Sequence, residues 1–130
     1  MNVLQSRLAV VDSFPFSYES IELDSGFTQR ILDTIHRTLS KNSTLKVVDI
    51  SQMTRETVVS LLLNFDADNS EIYFFGLSYN VGLKFPYHVF CHYYDDLWYP
   101  GSDDVLVYDV KNTFCVGISH EEIVSFWKIA

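Results

Sequence analysis

Two kinds of apolar spacing divide the chain. From Phe27 the apolar residues fall at Ile31, Leu32, Ile35 and Leu39, the three- and four-residue steps that line one face of a helix. With Asp24 or Ser25 as the cap and Lys41-Asn42-Ser43 as a polar stop, the spacing predicts a helix over residues 26–40. A second stripe, Val58, Leu61, Leu62 and Phe65, follows Ser51 and Thr54, either of which can cap the helix it predicts. Leu45 to Ile50 reads as a buried strand between the two. Arg7 to Asp12 reads as a short strand that ends at Ser13-Phe14-Pro15, because proline cannot donate to a ladder.

From Glu71 onward the pattern is rich in aromatic and β-branched residues. Residues 71–77 carry Ile72, Tyr73, Phe74 and Phe75, and Asn80 and Gly82 mark a reversal into a returning strand over 83–94. Pro86 in that strand predicts an edge position or a bulge. Residues 105–110 and 113–118, separated by Lys111-Asn112 alone, predict a second hairpin. Ser119-His120-Glu121-Glu122 has the spacing of a capping box, which predicts a closing helix that buries Ile123, Phe126 and Trp127. The expected fold is α+β: a mixed or antiparallel sheet built largely from hairpins, with about three helices packed on it. A length of 130 residues without internal repeat or linker is read as a single domain, residues 1–130.

Composition narrows the function. The apolar runs are short and interrupted, so no membrane span is expected, and the first residues lack the features of a secretory leader, so the cytoplasm is the expected compartment. Cys91 and Cys115 are then expected to be small buried hydrophobes. Nine basic against seventeen acidic residues give a net charge of −8, which repels nucleic acid and anionic membranes and suits a basic protein partner. Residues 86–130 hold seven acids against only Lys111 and Lys128, a balance of −5.

Catalytic chemistry finds little support. His88 and His92, with Asp95 and Asp96 behind them, lack a metal-ligand spacing, and Cys91 with His120 or His88 carries no nucleophile signature. Gly117 stands near a predicted helix start, but Glu121 and Glu122 would repel a phosphate there. The pairs Asp95-Asp96 and Asp103-Asp104 read as solvated charge and turn chemistry rather than an acid/base couple. No enzyme activity, metal or cofactor is expected. What remains is the segment from Tyr94 to Val105, where aspartates flank Trp98 and Tyr99. Trp98 either anchors a partner or folds into the core with Leu97.

Asp96-Leu97-Trp98-Tyr99-Pro100-Gly101-Ser102-Asp103-Asp104, then a hairpin, then His120-Glu121-Glu122, resembles small bacterial immunity proteins, including those of contact-dependent growth inhibition systems. The resemblance covers the chain from Tyr94 onward. It implies a cytoplasmic protein that neutralises a cognate toxin domain in a one-to-one complex. Nuclease toxins hold phosphates and are commonly cationic, so the expected toxin-binding residues are Asp95, Asp96, Trp98, Tyr99, Asp103, Asp104 and Glu121. The alternative is a small adaptor or self-associating regulator.

Overall fold

A computed structural model describes residues 17–21, 26, 29, 30, 33, 37, 46–65, 70–76, 81–111 and 113–128. Its elements run in the order β1 (Glu19–Ile21), β2 (Lys46–Asp49), α1 (Arg55–Leu63), β3 (Glu71–Gly76), β4 (Val81–Pro86), α2 (Tyr87–Leu97), β5 (Val105–Asp109), β6 (Phe114–Ile118) and β7 (Ile123–Lys128). The seven strands form one sheet in the order β1-β4-β3-β5-β6-β7-β2, and every described pair is antiparallel. The fold is therefore α+β with an antiparallel sheet and two helices among the described elements. No described helix is long and apolar enough to cross a membrane.

Alternation sets the two faces of the sheet. Ile72 and Phe74 of β3, Val107 of β5, Val116 of β6 and Phe126 of β7 point to one side, where Val58, Leu62, Val89, Phe90 and Leu97 of the helices meet them. Burying each such side chain stabilises the fold by about 1.5–3 kcal/mol relative to leaving it in water. The opposite face carries Phe75, Tyr108 and Cys115, flanked by Tyr73, Leu106 and Trp127.

Several sequence expectations hold. The hairpins β3/β4 and β5/β6 form, and α1 is capped by Thr54, whose hydroxyl accepts from the Thr57 amide. In the β5/β6 turn the buried Asp109 carboxylate accepts from the amides of Lys111 and Thr113, both at 3.1 Å, and from the Thr113 hydroxyl. Of the helix expected over 26–40, Gly26, Gln29, Arg30, Asp33 and Arg37 are described; all five are helical and exposed, with Gln29 donating to Asp33 at 2.8 Å. The apolar positions of that helix and the strand expected over 7–12 lie outside the described residues.

Three expectations are corrected. The strand expected over 83–94 ends at Pro86, and α2 begins at Tyr87. Pro86, with φ −67° and ψ 148°, marks the boundary, where a missing amide is tolerated at a helix start. Tyr87, Phe90, Cys91, Tyr94 and Leu97 recur at helical spacing, and burying that stripe outweighs the alternation the same aromatic run also shows. The strand expected over 45–50 is not buried: β2 is a sheet edge bonded among described elements to β7 alone, with Val47 60% exposed.

The last expected helix is instead β7. Val124 and Phe126 face the core and Ile123, Ser125 and Trp127 face away, a two-residue period. Ser119 does use its hydroxyl locally, accepting from the Glu121 amide at 3.3 Å, but in a turn. The Glu122 amide donates to the Ser119 carbonyl and the Ser119 amide to the Ile123 carbonyl, both at 3.0 Å, which closes a β6/β7 hairpin. Glu122 sits at φ 65°, the left-handed position that such a turn normally gives to glycine. Glu122→Gly is accordingly expected to stabilise the free protein by about 0.5–1 kcal/mol, read as a higher urea midpoint at unchanged slope. A lower midpoint would show that the Glu122 side chain stabilises the turn.

Candidate functional site

The segment singled out by sequence lies at one end of the sheet, where three connections are stitched together. Leaving α2, the chain turns extended at Trp98, whose amide donates to the Tyr94 carbonyl at 2.9 Å. The Trp98 ring is 4% exposed, stacks on Tyr94 and donates from Nε1 to the Ser119 carbonyl at 3.2 Å. Gly101, at φ 84°, donates its amide to the His120 carbonyl at 2.9 Å. Asp104 Oδ1 accepts from the His120 amide at 2.8 Å and contacts the His120 ring Nδ1 at 3.0 Å. The Ile50 amide donates to the Glu122 carbonyl at 2.9 Å, which draws in the connection between β2 and α1.

Asp103 is 2% exposed and acts inside its own loop. Its carboxylate accepts from the Tyr99 amide at 3.0 Å and the Ser102 hydroxyl at 3.1 Å, while its amide donates to the Tyr99 carbonyl at 3.1 Å. Such bonds fix a tight turn. Asp103 and Trp98 are thus part of the interior: Trp98 takes the core position that was the alternative to anchoring a partner, and Asp103, expected at the partner surface, turns into its own loop. Asp96 and Glu121 are exposed, Tyr99 is 42% exposed, and Asp95 and Asp104 are half-buried.

Two features at this end were not visible in sequence. Arg55, the first residue of α1, pairs through Nε with Asp95 at 3.1 Å and also donates to the His92 carbonyl of α2. Met53, 38% exposed, stands just before it. Neither carries a local signal, because the contact joins residues 40 positions apart. The Asp95–Arg55 bond leaves Asp95 Oδ1 buried without a hydrogen-bond partner.

Electrostatics couple the loop to the turn. The Asp104 carboxyl is pushed up by partial burial, but the backbone and ring hydrogen bonds from His120 outweigh this and its pKa falls below the usual value. The hydrogen bond to Asp104 and that group's charge raise the pKa of His120. The raised His120 value means that its contribution is fully present below the unfolded value of about 6.5 and is lost as pH rises through the folded value. The lowered Asp104 value means that its contribution is present above about 3.9 and is lost as pH falls through the folded value. The contact between Asp104 and His120 should therefore be strongest between about pH 4 and 6.5. Carbon-detected titration of the His120 ring should give a pKa above about 6.5 that returns toward it in Asp104→Asn. A titration unmoved by that substitution would place the proton's partner elsewhere.

Cys91 and Cys115 are buried, reduced thiols, and burial pushes Cys115 up to about 12, which leaves it protonated at neutral pH. His88 and His92 lie four positions apart on α2 rather than on a strand, and among the described residues no three His, Cys, Asp or Glu side chains gather as metal ligands would. Comparison with known protein families, with curated proteins and with solved structures finds no match.

Proposed function

We propose that this protein is an immunity protein that binds a cognate cationic toxin domain, by preference a nuclease, and neutralises it in the cytoplasm by covering its active surface. The observation that carries the proposal is where the acids stand. Asp95 and Asp96 occupy the last turn of α2, which holds no basic residue, so they face the negative end of the helix dipole. Glu122 occupies a left-handed turn position that disfavours it. Asp95 has a partner within the fold in Arg55, but the helix dipole and the backbone disfavour acids at Asp96 and Glu122, where a bound cation would favour them. Tyr99 and Met53 supply exposed apolar surface beside them, the combination of charge for encounter and apolar contact for retention that a tight inhibitor uses.

The proposal keeps Asp95, Asp96, Tyr99, Asp104 and Glu121 as contact residues and assigns Trp98 and Asp103 to their support. The test is to read the neighbouring reading frame for a toxin module and to co-express that module with this protein. A one-to-one complex seen by native mass spectrometry, with toxin activity suppressed, is the expected result. A homodimer with no affinity for the toxin would sink the proposal in favour of self-association through the exposed β2 edge.

A further inference from the structure

The sheet face turned away from α1 and α2 carries a feature that the acidic end does not explain. Register places Leu106, Gly117, Ser125 and Val47 in one row across β5, β6, β7 and β2. The two small residues in the middle of that row leave a hollow of about 180 Å³, walled by Trp127 and Ile123 and reached at one end by Asp104. Glycine inside a strand weakens it, and is usually kept because the backbone needs a positive φ or because a side chain would clash. Neither applies to Gly117. It has no positive φ, and a Cβ there would lie 3.5 Å from the Trp127 ring and 3.6 Å from Leu106, ordinary van der Waals contact. Register runs unbroken through Gly117, without a bulge, and glycine at such a strand position also marks the close approach of a ligand or of another backbone.

The walls define that ligand. An indole face beside open apolar space attracts a cation through the ring quadrupole, and a planar guanidinium also stacks on it. The carboxylate of Asp104 stands at the rim, with its pKa held low, and Asp49 lies on the same face opposite Ile123, likewise held ionised by hydrogen bonds from Ser51. We infer that the hollow between Gly117, Ser125 and Trp127 is an anchor site for an arginine side chain of the basic protein partner, with its guanidinium between the Trp127 ring and Asp104. The inference rests on the immunity reading for its partner but not for its chemistry. Its position on β6 and β7 joins it to the acidic end through the 119–122 turn, so one partner surface can reach both.

The two tryptophans make the test internal. N-acetyl-arginine amide is titrated into the full-length protein, and the Trp127 indole N–H and Gly117 amide are followed by NMR, with the buried Trp98 indole as a reference. The expected result is saturable movement of the Trp127 and Gly117 signals at a Kd on the order of millimolar, with Trp98 still. N-acetyl-norleucine amide should move them much less. Gly117→Val should weaken arginine binding roughly tenfold, while Gly117→Ala, whose methyl has room, confirms that the strand tolerates a side chain. Equal shifts with norleucine, or none with arginine, overturn the site. With the toxin domain, a loss of affinity in Gly117→Val supports the anchor. Unchanged toxin affinity in that variant overturns the anchor and leaves the immunity reading standing; absence of any toxin binding by the parent protein fails that reading, and the arginine titration still decides the site.

Discussion

Trp98→Ala is expected to destabilise the free protein by about 3–5 kcal/mol, the range for removing a large aromatic from a packed interior. The ring is 4% exposed and stacks on Tyr94, so its removal opens a cavity under the end of α2. It also leaves the Ser119 carbonyl without the Nε1 donor that ties the loop to the β6/β7 turn. Thermal unfolding should move down by roughly 10 °C or more. Any loss of partner binding in this variant should scale with the unfolded fraction and disappear on cooling. A variant that melts like the parent yet releases a partner faster would put the ring in the interface instead of the interior.

Reversing the exposed acids should separate binding from stability in the opposite sense. Asp96→Lys puts a cation at the C-terminal turn of α2, where the dipole favours it, and should stabilise the free protein by about 0.3–1 kcal/mol. Combined with Glu121→Lys, it changes the local charge by four units and should slow association with a cationic toxin roughly tenfold or more at low salt, with a weaker dependence on ionic strength. Stopped-flow association at two salt concentrations, set beside urea unfolding of the same variants, gives both readings. An association rate that is unmoved, or a stability that falls, would remove the argument that these acids are kept for a partner.

Asp95 shows how local and distant effects divide. Its acidity and its neighbours Asp96 and Trp98 are legible in sequence, but its pairing with Arg55 depends on α1 lying against α2. Asp103 and Asp104 look alike in sequence. One carboxylate turns inward to its own loop and the other outward to His120, because the chain between them passes from a tight turn into β5.

Sequence by itself determined the mixed fold, the two hairpins at β3/β4 and β5/β6, a cap for α1 at Ser51 or Thr54, and the concentration of acid toward the C-terminus. Each of these depends on neighbours within a few residues or on composition alone. Only the tertiary structure decided that residues 87–97 are helix and 123–128 strand. Both stretches carry apolar patterns that fit either period, and the partner surface chose between them: α2 has one apolar stripe to lay on the sheet, whereas β7 has a sheet edge at β6 to complete. The same choice sent Trp98 and Asp103 inward and brought Gly117 beside Trp127, because burial and strand register are properties of assembled elements and not of the residues between them.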